Sequence, residues 1–403
     1  MTTHAILSPS SAHRWMKCPA SVALESDYPE TSSEFADEGT AAHDVASRAL
    51  INDVEAVAFM GTSVTVNGKD HTVTPDMAEY VQKYLDYVKA LQADSIMSAV
   101  EVRLPLGGIT GEDDAEGTSD FVAITNDGEL VIVDLKYGMG VKVDTERNPQ
   151  LSLYALGALE MYELSYDIRK VRLVIVQPRL NHISECSCEV GYLDQFKSDV
   201  WNAARACDIA LMERANGYDT SQSLFTPGDD QCRFCKAKGN CPALTKHALE
   251  TVSNGFSDMT KPPAPDTLRP FTESELGPLL SSVDLIEGWC KALREHCKGE
   301  LLAGRSIPGW KVVEGRRGAR KWANAAEAEN VMKGMRLKQD VMYEQTLISP
   351  TTAEKLAKSG DIGPRQWPRL QEYITQSEGS PTVVPESDKR PAISVANDFE
   401  SLV

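Results

Sequence analysis

Along the first 250 residues, stretches of helical spacing alternate with stretches of period two. MAEYVQKYLDYVKALQA, residues 77–93, carries its apolar side chains at helical intervals and predicts a helix. Ser8 and Pro9 ahead of SSAHRWMKC supply an N-cap and a proline at the first helical position, so a short helix is expected to end near Cys18. Another helix is expected from Glu34 to Ile51. The pattern then turns to alternation: AVEVRLPL (99–106), TSDFVAI (118–124), ELVIVDLK (129–136) and VRLVIVQ (171–177) read as strands between turns rich in Gly, Asp and Asn. Between the last two, Asn148-Pro149 opens a capped amphipathic helix, QLSLYALGALEMYEL. A helix near 193–216 and a cysteine-rich loop at 232–241 complete an α/β domain over residues 1–250.

Beyond it, the Pro-rich KPPAPDTLRP (261–270) marks a linker within 251–272, and a helix at about 273–303 opens a smaller C-terminal α+β region reaching 376. Prolines amid polar residues predict a disordered tail over 377–403. The total of 403 residues suits two or three domains at ~150 residues each. Hydrophobic residues at 42% and charged residues at 25% exclude a disordered or fibrous chain. Apolar runs such as Val131–Val133 and Leu173–Val176 fall far short of the ~20 residues of a membrane span. The opening MTTHAILSPSSAHRW lacks the apolar core of a signal peptide, so a cytoplasmic protein without a membrane partner is expected. A net charge of −18 opposes nonspecific binding to polyanions, and any such contact must come from a local patch. Residues 305–321 offer one: Arg305, Lys311, Arg316, Arg317, Arg320 and Lys321 stand against one acid, Glu314, with Trp310 and Trp322 alongside. Such a mixture can hold phosphates and stack bases, or equally form a solvated strand pair with buried tryptophans.

The candidate chemistry centres on two strands. Asn126-Asp127-Gly128 suits a three-residue hairpin loop with Gly128 in the left-handed conformation. In that register Thr125 faces Glu129, and pairing outward puts Asp120 opposite Asp134. Strand alternation then places Lys136 on the face of Asp134, with Leu135 on the other. Cross-strand side chains lie roughly 5 Å apart, and two carboxylates at that spacing repel unless a cation sits between them. Hard oxygen ligands of this kind suit Mg²⁺ or Mn²⁺, and a neighbouring lysine can position a water for attack on a phosphate. Asp-x-Lys by itself is an ordinary surface ion pair. The apolar flanks of Asp134 in VIVDLK make a merely decorative charge there unexpected.

The nine cysteines form an odd, unevenly spaced set, which argues against a disulfide framework. Cys232, Cys235 and Cys241 crowd one short loop and call for a fourth thiolate. Ligand type alone admits Zn²⁺ or an iron–sulfur cluster. The remaining candidates, Cys186, Cys188, Cys207, Cys290 and Cys297, fit buried apolar positions.

GTSDFV with Asp120 and VIVDLK with Asp134 and Lys136 resemble the Asp…(Asp/Glu)-x-Lys core of the PD-(D/E)XK nuclease superfamily. Gln150 and Tyr154 in QLSLY match the Gln-x-x-x-Tyr motif of its RecB-like branch, and His43 in GTAAH matches that branch's upstream histidine. SPSSAHRWMKCP and CRFCKAKGNC are similar to the cysteine pattern of its iron–sulfur members, the AddB-type and CRISPR-associated exonucleases. Ser119, not proline, precedes Asp120. The resemblance spans roughly residues 5–245 and is to a phage-type RecB-like exonuclease. It implies a restriction-endonuclease-like core, a central mixed sheet flanked by helices, stapled by a [4Fe–4S] cluster on Cys18, Cys232, Cys235 and Cys241. Such a staple closes a loop of more than 200 residues, worth on the order of 4–5 kcal/mol by analogy with a disulfide. The resemblance also implies one or two divalent ions held by His43, Asp120, Asp134 and the Leu135 carbonyl, with Lys136 assisting the attacking water. Gln150 and Tyr154, at i and i+4, would contact the DNA backbone or order Lys136, and Glu101 is a weaker supporting acid. Without the family, His43 reads as a core histidine and Gln150 with Tyr154 as a surface pair. The implied partners are DNA and a single-strand annealing or single-strand binding protein. The implied setting is phage DNA recombination, repair or processing, in the host cytoplasm if phage-encoded. A DNA-binding or assembly protein that keeps the fold as scaffold, or a zinc-stabilised adaptor, are the rival readings.

Overall fold

Three capping residues fix where the main helices begin. Ser33 Oγ accepts the Ala36 amide at 3.2 Å and opens α1 (Glu34–Ile51). Thr74 Oγ1 accepts the Met77 amide at 3.1 Å and opens α2 (Pro75–Ala93), while Asn148 Oδ1 accepts the Leu151 amide at 3.2 Å and opens α3 (Pro149–Tyr162). The last two carry proline in the first turn, where its missing N–H costs nothing. The structure is a computed structural model and describes residues 5–29, 32–255, 277, 280, 282–311, 350–360 and 362–371.

Among the described residues there are seven strands. β1 (Ser63–Val66) and β2 (Lys69–Thr72) make a separate hairpin. β3 (Ser95–Pro105), β4 (Glu116–Thr125), β5 (Glu129–Leu135), β6 (Lys170–Gln177) and β7 (His182–Glu189) form one sheet in sequential order. Only β5 and β6 are parallel, joined through α3, so the sheet is mixed and the molecule is α/β. One face packs on α3, α4 (Tyr192–Ala215) and the N-terminal segment, and the other on α1 and α2. Covered on both faces, β5 is apolar from Leu130 to Val133 without alternation.

The expected elements are present with three differences. β3 begins four residues early. α3 is not amphipathic: Leu151 through Leu159 are all buried, because the sheet, α4 and the N-terminal segment enclose it. Strand β7 and the β1–β2 hairpin were not expected. The hairpin turns on Asn67-Gly68, both at positive φ (49° and 75°), the geometry that this dipeptide favours. Of the five cysteines expected to be buried, only Cys207 is; the other four are half-exposed.

The chain divides into two units, Met1–Lys311 and Val312–Val403. α5 (Pro242–Gly255) runs into the start of the expected linker, whose remainder is largely outside the described residues. α6 (Val283–Leu302), expected to open the second region, packs on α5 and the cysteine segment of the first unit. Gly239 allows this, since a Cβ there would meet the Ala292 carbonyl oxygen at 2.5 Å. In the second unit, the described residues form α7 (Pro350–Ser359) and α8 (Trp367–Gln371). Arg316, Arg317, Arg320, Lys321 and the tail 377–403 lie outside the described residues. Among those described, no helix is long and apolar enough to cross a membrane.

Candidate active site and cysteine centre

The β4–β5 hairpin holds the register that its turn dictates. Gly128 has φ 81°, its amide meets the Thr125 carbonyl at 3.1 Å, and the ladder pairs Ile124 with Leu130 through Phe121 with Val133. One step further the same register sets Asp120 opposite Asp134; the Asp134 side chain meets Gln150 on α3, while that of Asp120 meets His43 on α1. The Asp120 carboxylate accepts the Leu135 amide through Oδ2 at 2.7 Å and meets His43 Nδ1 through Oδ1 at 3.0 Å. His43 reaches it from α1, where Ala42 and Ala46 are buried small residues that let the helix approach the sheet.

Asp134 is buried, its side chain 4% exposed. Its Oδ1 accepts Gln150 Nε2 at 3.0 Å, and its Oδ2 lies 3.0 Å from Lys136 Nζ without an aligned hydrogen bond. Lys136 Nζ donates to Gln150 Oε1 at 2.9 Å, and Gln150 Nε2 also reaches the Tyr154 hydroxyl at 3.3 Å. Thus Gln150 and Tyr154, one turn apart on α3, are not a surface pair: they lock the carboxylate and the ammonium from above.

The two carboxylates diverge. Burial pushes both up, but for Asp120 the His43 imidazole, the Leu135 amide and Lys136 outweigh it and hold the group below the ordinary aspartate range. For Asp134 burial wins over Lys136, helped by repulsion from Asp120, and the group lies above that range. Burial disfavours the His43 cation, yet Asp120, with Asp134 behind it, raises the imidazole.

Two further features belong to this site. Glu101 occupies the gap in the β3–β4 ladder opposite Asp120 with φ 51°, a left-handed conformation that a non-glycine residue adopts at a cost. It shares a narrow cavity with His43, Ser47, Tyr84 and Asp120, where burial and then the charge of Asp120 raise its carboxyl. The Tyr84 hydroxyl is buried there with no hydrogen-bond partner. Nothing in the sequence separates Tyr84 from the apolar stripe of α2, so it escaped notice. Nearby, Glu112 accepts the amides of Ile6 and Leu7 at 2.8 and 3.1 Å and anchors the N-terminal segment.

The second centre gathers Cys18, Cys232, Cys235 and Cys241 around one small cavity. Backbone amides point at the sulfurs: Thr226 to Cys18 at 3.5 Å, Gly228 to Cys232 and Leu244 to Cys241 at 3.4 Å. Burial raises the thiols of Cys18, Cys232 and Cys235, the last to about 12. Such thiols stay neutral until a cation draws off their protons. Lys17 with Asp230 at 2.9 Å and the Lys236 amide with Glu25 at 2.7 Å tie the same two chain segments together. Cys207 lies apart, fully buried, its Sγ donating to the Trp15 carbonyl at 3.7 Å. Among the described residues, no group of three or more His, Cys, Asp or Glu side chains is placed so that it could hold a metal ion. Of the basic segment, Arg305 is taken up by Glu300, while Trp310 is exposed.

A sequence family described as "Protein of unknown function (DUF2800)" matches residues 4–391. Among solved structures, one titled "Crystal structure of SSO0001" is similar at 14% identity. That match covers 57% of this chain and 83% of the other, with a TM-score of 0.25.

Proposed function

The chain belongs to this DUF2800 family, and we propose that it is a divalent-metal-dependent deoxyribonuclease of the PD-(D/E)XK kind, acting as an exonuclease in phage DNA recombination, repair or processing. The carrying observation is the buried convergence of Asp120, Asp134 and Lys136, in which one Asp134 oxygen is buried without a hydrogen bond. That oxygen already faces the Lys136 ammonium at 3.0 Å, and two carboxylates side by side call for a further cation. The residues fit Mg²⁺ or Mn²⁺: Asp120, Asp134 and the Leu135 carbonyl would hold it, with His43 as a nitrogen donor. When bound, the ion supplies a polarised phosphodiester and a water acidic enough to attack at neutral pH.

The chain's own groups do the rest. Lys136, fixed between Asp134 and Gln150, presents its ammonium to the attacking water and to the charge that builds on the phosphate oxygens. Gln150 holds both partners at once, so neither can turn away. The cysteine set fits a [4Fe–4S] cluster, with four cysteines lining one cavity and amides aimed at three of the sulfurs, the contacts that tune such clusters. Its role is that of a structural staple between residue 18 and the 232–241 segment. Exonuclease action, DNA as substrate and a single-strand annealing or binding partner rest on the resemblance of QLSLY and the cysteine pattern to RecB-like enzymes. The test is incubation of the full chain with end-labelled linear DNA and closed circular DNA in Mg²⁺ or Mn²⁺. Linear DNA should be degraded from its ends, circular DNA spared, and chelation should stop the reaction; intact linear DNA would contradict the proposal.

A further inference from the structure

Arg179 stands where the β-sheet delivers its chemistry and has no complete structural explanation. The Lys136 amide donates to the Val176 carbonyl at 2.9 Å, so the end of β6 lies beside Lys136, and Arg179 follows three residues on in the turn Pro178–Leu180. Its guanidinium lies over the ring of buried Tyr137, the residue after Lys136, at 4.9 Å. On its other side Nη1 meets Glu38 Oε2 at 2.9 Å, and Glu38 sits on α1 five residues before His43. That is the guanidinium's one polar contact among the described residues.

A guanidinium built as a structural clamp uses its two-pronged fork on a buried carboxylate. Here the contact is single, Glu38 is 35% exposed, and Nε is buried without a partner. Weakly paired and half-open, the Glu38 contact exchanges readily for a stronger anion. The surroundings are rigid: Gln177 accepts the Val143 amide at 2.8 Å and donates to the Val141 carbonyl at 3.0 Å, which pins the loop leaving Lys136 to the end of β6. In a chain of charge −18, a phosphate backbone needs local cations, and Lys136 is already engaged by Asp134 and Gln150.

We infer that Arg179 binds a backbone phosphate of the nucleic-acid strand next to the one cleaved, with Glu38 as the placeholder that the phosphate displaces. This rests on the nuclease reading above and adds a substrate-positioning residue to it. Arg179 stacks on Tyr137 in both states, so its fork is aimed before the strand arrives.

The test compares Arg179→Gln and Glu38→Gln in the full chain, using a fluorescein-labelled single-stranded oligonucleotide for Kd at several salt concentrations and Mg²⁺-dependent cleavage for KM and kcat. Arg179→Gln should raise Kd and KM about tenfold, leave kcat within about twofold, and lower the slope of log affinity against log salt by roughly 0.7, the share of one phosphate. Glu38→Gln should bind as tightly as wild type or more so. A purely structural clamp predicts the opposite for Glu38, since breaking the pair from either side would then weaken binding alike. Unchanged Kd in Arg179→Gln, or equal weakening in both variants, overturns the inference. Should Arg179→Gln not fold, Glu38→Gln alone decides: weaker binding overturns the inference and equal or tighter binding supports it. Wild-type chain that neither binds nor cleaves DNA refutes the nuclease reading as well, whereas wild-type cleavage with an unaffected Arg179→Gln refutes this inference only.

Discussion

At His43 the protein places a raised imidazole against a lowered carboxylate, and the pair sets a pH dependence with a definite sign. A histidine whose folded pKa exceeds its unfolded value of about 6.5 stabilises the fold fully below that pH, and the contribution fades as pH rises through the folded value. Metal-free protein should therefore lose thermal stability as pH climbs above about 6.5, and His43→Gln should flatten that part of the curve, as melts in EDTA would show. Metal binding runs the other way, because it needs neutral imidazole and ionised carboxylates. A His43→Gln curve that keeps the wild-type slope would remove the pair from the account. The register that sets Asp120 opposite Asp134 and the contact between Asp134 and Lys136 were legible in the sequence, because a turn of fixed length sets register and strand parity puts residues 134 and 136 on one face. The left-handed Glu101 and the buried Tyr84 hydroxyl were not, because tertiary packing decides both.

Among the elements, α3 carries most of the site's precision, and it reaches the sheet through missing side chains. A Cβ on Gly117 would stand 2.8 Å from Pro9 Cγ and 3.0 Å from both Leu106 Cδ1 and Tyr154 Cε1. Gly117→Ala should displace the Tyr154 ring and with it Gln150, costing about 1–3 kcal/mol of stability by overpacking. Cleavage should fall at least several-fold, to be compared with the variant's melting temperature at the assay condition. Wild-type stability and activity together would show that this contact is slack. The strands of the core could be read because β4, β5 and β6 carry strong apolar signals. Strand β7, HISECSCE, could not: its inward residues are His, Ser and cysteine, so alternation in burial leaves little alternation in hydropathy. The charged KDHT of β2 hid the hairpin in the same way, although Asn67-Gly68 announced its turn.

Within the first unit, the segment around Cys18 and the 232–241 segment meet at the cysteine centre, and α6 packs there too. The spacing of Cys232, Cys235 and Cys241 was readable, but contacts such as Ala292 against Gly239 join elements too far apart in sequence to leave a local pattern. Protein purified without oxygen should be brown with about four irons per chain. Cys18→Ala should lose the colour and much stability, whereas Cys207→Ala should keep the colour; zinc in place of iron, or a brown and stable Cys18→Ala, would refute this ligand set. The central claim is narrower: Asp134 does chemistry rather than packing. Asp134→Asn keeps the shape and the Gln150 contact but removes the charge, so its activity on end-labelled linear DNA in Mg²⁺ is the most direct measurement. The account predicts a folded protein with cleavage reduced by roughly 10³ or more, the scale of losing such a catalytic interaction; a folded Asp134→Asn that cleaves within a few-fold of wild type would contradict it.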